Sequence, residues 1–104
     1  MNKYIIVRTL CDDMNNANKI IDLLLEKKLI VGSQVSEVHS KYWWNNYLEE
    51  SKEYKLEFRT KLNKYEEVEK LIKENHSYKL PEISYNEIHG SKEFEEWIDK
   101  FVED

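Results

Sequence analysis

The segment from Ile30 to Thr60 constrains this chain more than any other. Residues 30–44 (IVGSQVSEVHSKYWW) are rich in β-branched and aromatic side chains and read as one long strand. Its alternation changes phase. Val31, Ser33 and Val35 share one parity, while Val38, Tyr42 and Trp44 share the other, so a β-bulge is expected near Ser36 and Glu37. Asn45 and Asn46 tolerate positive φ and predict a hairpin turn. The return strand alternates strictly: Tyr54, Leu56, Phe58 and Thr60 face one way, Glu53, Lys55, Glu57 and Arg59 the other. Each arm can run to about twice the usual 5–6 residues. Two helices cannot cover such a ribbon, and its tip carries Tyr42, Trp43, Trp44 and Tyr47. Exposed apolar ribbons invite edge pairing, and Tyr and Trp are favoured at interface centres. Another copy of the chain is therefore the expected cover; the alternative is that the aromatics fold back onto their own sheet.

The flanking segments supply the rest of a small domain. Residues 3–10 (KYIIVRTL) read as a central strand. Asp12 and Asp13 offer N-cap carboxylates to a helix over about 13–28, whose inward stripe is Ala17, Ile20, Ile21, Leu24 and Leu25. Asn63 and Glu66 have capping-box spacing ahead of a second helix over about 64–75, with Val68, Leu71 and Ile72 inward. A loop ending at Pro81 leads to a strand over 82–88. Gly90 then breaks the chain, Ser91 can cap, and Phe94, Trp97, Ile98 and Phe101 mark a C-terminal amphipathic helix. The order β-α-β-β-α-β-α predicts an α+β fold, a ferredoxin-like sandwich with a long central hairpin, as one domain over residues 1–104.

Composition excludes several classes of function. A net charge of −5, with Arg8 and Arg59 the two arginines, gives no cationic surface for a nucleic-acid backbone. One cysteine, Cys11, leaves no disulfide framework and no cysteine-rich zinc module. Two glycines cannot build a glycine-rich phosphate loop. No apolar run approaches the roughly 20 residues that cross a bilayer, and the first ten residues lack the pattern of a signal peptide. The expectation is a cytoplasmic protein with no membrane and no nucleic-acid partner.

His76, Tyr78 and Glu82 are the leading site candidates, because imidazole and carboxylate suit borderline divalent cations such as zinc or copper(II). The competing structural reading has His76 ending a helix, Tyr78 and Pro81 packing a subunit contact, and Glu82 pairing with a lysine or a backbone group. His39 and His89 fit no metal-ligand spacing. Beside Cys11, Asp12 and Asp13 oppose thiolate formation while the helix dipole favours it; an idle thiol is the default. Trp97 is expected in the core.

These segments together resemble the CutA divalent-cation-tolerance proteins. Val38-His39-Ser40-Lys41-Tyr42-Trp43-Trp44 resembles that family's V-x-S-x-Y-x-W, and Thr60 stands where the family has Lys-Thr. His76-Ser77-Tyr78-Lys79-Leu80-Pro81-Glu82-Ile83 resembles H-P-Y-x-x-P-E-I, and Phe94-Glu95-Glu96-Trp97-Ile98 resembles the terminal Y-x-x-W-I/L. The departures are Ser36-Glu37 for Pro-Gly, Asn46 for the hairpin glycine, Ser77 for a proline and Cys11 for another. Arg8 and Val31 stand where some members carry cysteines, so this chain offers no thiolate there for copper. The resemblance implies a tight homotrimer in which long strands of neighbours pair, with Tyr42, Trp43, Trp44, Tyr78 and Pro81 at interfaces or clefts. It also implies tolerance to copper and other divalent cations, a cation such as copper or zinc or a small ligand held at the clefts, and no enzymatic reaction. A PII-like signalling or scaffolding trimer that binds another protein is the alternative. An acylphosphatase-like enzyme ranks third, because Cys11-Asp12-Asp13 puts negative charge where an anion would sit.

Overall fold

A computed structural model describes residues 2–104 as a four-stranded antiparallel sheet with three helices. The apolar run near the N-terminus forms β1 (Tyr4–Cys11), and its β-branched residues place it inside the sheet. The helical stripe that follows forms α1 (Met14–Glu26). Asp13 caps it as expected, its Oδ1 accepting from the Asn16 N–H at 2.7 Å. The helix ends in a Schellman motif: Lys28 takes φ 56°, the Lys28 N–H donates to Leu25 O, and the Leu29 N–H donates to Leu24 O. Leu24 and Leu29 are both buried, which supplies the apolar contact of that motif.

The long ribbon is β2 (Gly32–Trp44) and β3 (Tyr47–Lys61), joined by Asn45 and Asn46 at φ 49° and 68°. Two successive positive φ values are the type I′ turn that two asparagines can adopt. The sheet order is β2-β3-β1-β4, with β4 at Ile83–Ile88. The expected bulge at Ser36 and Glu37 is absent. Pairing runs without a break from Gly32 opposite Arg59 to Trp44 opposite Tyr47. The phase change has another cause. Val35 lies opposite Leu56, on the face that α1 and α2 cover. The last β1 pair is Cys11 with Tyr54, so beyond Glu37 the ribbon has outrun both β1 and the helices. Val38, Tyr42 and Trp44 follow the opposite face, where the loop 76–82 approaches. The apolar residues change sides because the cover does.

One core lies between the sheet and two helices. Ile5, Val7, Leu56 and Phe58 pack against Ala17, Ile20 and Leu24 of α1 and against Val68 and Ile72 of α2 (Tyr65–Asn75). The Asn63–Glu66 capping box does not form. A 3-10 turn at Leu62–Lys64 delays the helix, and its N-terminal residue, Lys64, makes no side-chain cap. Glu66 instead favours the helix from its first turn, through the dipole. On the other face of the sheet, Ile98 and Val102 bury against Tyr4 as α3 (Lys92–Phe101) crosses the end of β1. Ser91 caps α3 by accepting from the Phe94 N–H. Trp97 is less buried than expected, lying at the rim of this cluster with 43% of its surface exposed.

Candidate functional site: the cleft between the hairpin and the loop 76–82

The loop 76–82 is held to the rest of the chain at several points. Asn16 of α1 donates from Nδ2 to the Asn75 carbonyl and accepts from the Ser77 N–H, and the Ser77 hydroxyl donates to Asp12 Oδ1 at 3.0 Å. These bonds join the end of α2 to the start of α1. They also fix where the next two side chains go.

His76 points inward. Its Nδ1 accepts from the Tyr78 N–H at 3.1 Å, which leaves the hydrogen on Nε2. Nε2 lies 3.1 Å from Thr9 Oγ1 and 3.8 Å from Cys11 Sγ. In this arrangement both ring nitrogens are engaged. Burial pushes the imidazole pKa below its ordinary value, against the opposing effects of a hydrogen bond with the Leu10 backbone and of the Asp12 and Glu53 charges. Cys11 is fully buried, and burial, reinforced by Asp12 and Asp13, pushes its thiol up to about 12. The dipole therefore loses to desolvation at Cys11, and the thiol is unreactive.

Tyr78 points the other way, toward the ribbon. Its hydroxyl donates to Glu53 Oε2 at 2.8 Å. Burial first, and then the Glu53 charge, hold the phenol well above its ordinary pKa, so it stays a donor. Glu53 itself is 4% exposed although it sits on the polar parity of β3. Above this bond opens a cleft of about 420 Å³. Tyr42 and Trp44 form its ribbon side; Tyr78, Leu80 and Glu82 line the loop side, with Lys79 and Ser77 beside them.

The sequence candidates thus divide. Tyr42, Trp44, Tyr78 and Glu82 line one cleft. Trp43 pairs with Leu48 on the opposite face of the ribbon, and Pro81 lies in the loop between two lining residues without lining the cleft itself. The structure gives His76 and Glu82 separate partners: His76 faces Thr9, and Glu82 accepts from the Ser84 hydroxyl at 3.0 Å. Among the described residues no group of three or more His, Cys, Asp or Glu side chains is placed to hold a metal ion. His39 and His89 sit in exposed pairs with Glu50 and Glu87. Arg8 is committed to Glu57 and Asn86 within the sheet, so no anion cradle forms there. Sequence reasoning missed Glu53. Only its crossing by Tyr78, 25 residues later in the chain, sets it apart from its charged neighbours, and no local pattern records that.

Three comparisons with known proteins agree. The family model for the CutA1 divalent ion tolerance protein matches residues 5–101. The divalent-cation tolerance protein CutA of Thermococcus kodakarensis is 37% identical over 95 residues, which span 90% of this chain and 91% of that one. The Archaeoglobus fulgidus CutA is 36% identical over 91 residues, 86% of this chain and 89% of its own. Among solved structures, a variant of CutA1 from Pyrococcus horikoshii OT3 superposes with a TM-score of 0.93 at 30% identity, over 96% of this chain and 99% of the other. The Archaeoglobus fulgidus structure, described as a periplasmic protein, superposes with a TM-score of 0.91 at 34% identity, over 99% of this chain and all of its own, 100%. No helix among the described residues is long and apolar enough to cross a membrane.

Proposed function

Because this chain belongs to the CutA1 divalent ion tolerance protein family, we propose that it serves divalent-cation tolerance as a homotrimer that weakly holds a divalent cation or small ligand in its hairpin–loop cleft. The strand order supports a ferredoxin-like, single-domain protomer over residues 1–104. The observation that carries the oligomer is the ribbon tip. Trp43, Tyr47 and Leu48 are 69%, 70% and 69% exposed on a ribbon that has left its helices behind. Exposed aromatic surface on an unpaired edge is the property that a neighbouring copy removes. Tyr42 and Trp44 of that same ribbon line the cleft, so a neighbour that covers the ribbon also comes to lie beside the cleft.

The role is binding rather than catalysis. Copper(II) or zinc would find Glu82 already on the cleft wall. His76 joins only by giving up its bond to Thr9, which keeps such a site weak. The free, buried Cys11 suits a reducing, cytoplasmic setting. Native mass spectrometry tests the assembly: the parent should be trimeric, and Trp43→Asp should shift it toward smaller species. A monomeric parent at micromolar concentration removes the proposal. Calorimetric titration with copper(II) and zinc tests the site. Glu82→Gln should weaken binding several-fold and His76→Ala should alter it; isotherms unchanged by both remove the metal assignment.

A further inference from the structure

The cleft is lined by three aromatic rings, Tyr42, Trp44 and Tyr78, around a carboxylate that is nearly out of solvent. Glu53 receives a hydrogen bond from the neutral Tyr78 hydroxyl, and among the described residues no cationic side chain forms an ion pair with it. Within the protomer, this buried carboxylate has a hydrogen bond from one phenol and no counter-charge in an ion pair. Glu82 adds a second negative group at the wall, against one lysine, Lys79. The cation–π contacts lie elsewhere, with Lys52 over Tyr54 and Lys100 over Phe101, so among the described residues no lysine or arginine stacks on the three rings. A bare divalent ion asks for three or more oxygen, nitrogen or sulfur donors, and that set is not assembled here. Aromatic faces with a carboxylate at their base are what an alkylated ammonium asks for: its methyl groups lie on the rings, and its diffuse charge needs no coordination shell.

We infer that the cleft selects small organic cations of the alkylammonium class, with Tyr42, Trp44 and Tyr78 as the cage and Glu53 as its counter-charge. This rests on the reading that the cleft is the ligand site. A volume of about 420 Å³ lies within the range of small-molecule pockets.

The test uses the intact protein and three probes: tetramethylammonium, choline, and 3,3-dimethylbutan-1-ol, the neutral carbon isostere of choline. Binding is followed through the methyl resonances of each probe and by calorimetry. The expected result is saturable binding of both cations, an upfield shift of their N-methyl signals, and at least tenfold weaker binding of the isostere. Trp44→Ala should abolish the shift. Glu53→Gln, which preserves shape, should cost choline about tenfold and leave the isostere unaffected. If choline and its isostere bind equally and Trp44→Ala abolishes both, the cation selectivity is overturned while the cleft stands as a binding site. If no probe, zinc or copper(II) produces a signal that Trp44→Ala or Glu82→Gln removes, the cleft reading falls and this inference with it.

Discussion

The Tyr78 hydroxyl donates to Glu53 Oε2 at 2.8 Å and joins the loop after α2 to the middle of β3. That one bond closes the floor of the cleft. It also explains why a glutamate on the polar parity of a strand is nearly inaccessible. Tyr78→Phe should leave the carboxylate buried without its donor and cost about 1.5–3 kcal/mol, the range for hydrogen bonds to charged groups. Urea denaturation at fixed protomer concentration measures this, since assembly makes stability concentration-dependent. The double variant Tyr78→Phe, Glu53→Gln should cost less than the sum of the two single changes. Strict additivity would show that the bond contributes nothing.

His76 gives the protein an acid-sensitive element. Its folded-state pKa lies below the unfolded value of about 6.5, because burial disfavours the imidazolium. As pH falls through that value the unfolded chain takes up a proton that the folded chain refuses, so the unfolded state binds more protons and stability falls. The loss levels off once pH passes below the folded pKa. Urea midpoints between pH 7.5 and pH 5 should therefore decline, and His76→Gln should flatten the decline relative to the parent. His39 and His89 are unchanged in that variant and cancel in the difference. An identical slope in both proteins would remove His76 from this role.

Thr60 is fully buried, and its hydroxyl donates to the Leu29 carbonyl at 2.6 Å, tying the end of β3 to the turn after α1. Thr60→Val keeps the shape and strands that carbonyl, at a cost of about 1–3 kcal/mol. Thr60→Ser should retain most of the bond. Chemical denaturation of the three proteins checks the ranking; equal losses for Val and Ser would mean that packing, not the bond, sets the value of this residue.

The two glycines should respond differently to alanine. A Cβ on Gly90 would lie 2.6 Å from Phe94 Cδ2, in the cluster that seats α3. Gly90→Ala is expected to cost about 1–3 kcal/mol through overpacking. At Gly32 the nearest atom to an added Cβ is Trp97 Cη2 at 3.6 Å, an ordinary contact. Gly32→Ala should stay within about 0.5 kcal/mol of the parent. Paired thermal melts decide it, and a reversed order would mean that Phe94 yields freely.

Local chemistry made much of the architecture legible. The β-branched run of β1, the Asp13 and Ser91 caps, the paired asparagines at the hairpin and most of the helical stripes follow from local spacing, although Leu25 of the expected inward stripe of α1 and Trp97 and Phe101 of the α3 stripe are 40%, 43% and 42% exposed. The Asn63–Glu66 spacing does not become a capping box, because the chain takes a 3-10 turn over Leu62–Lys64 and α2 starts at Tyr65, past Asn63. Four of the cleft residues, Tyr42, Trp44, Tyr78 and Glu82, were already apparent as residue types in suggestive places. Their convergence was not.

From the sequence alone follow the element order, the hairpin and a ribbon longer than its helices, because periodicity and turn chemistry are short-range. The tertiary structure alone decided which side of that ribbon is covered, that His76 turns in toward Thr9 and Cys11 while Tyr78 turns out, and that Glu53 is the buried charge of the cleft. These depend on where the loop 76–82 crosses the end of β1 and the middle of β3. That crossing is a contact between segments far apart in the chain, which no spacing within either segment encodes.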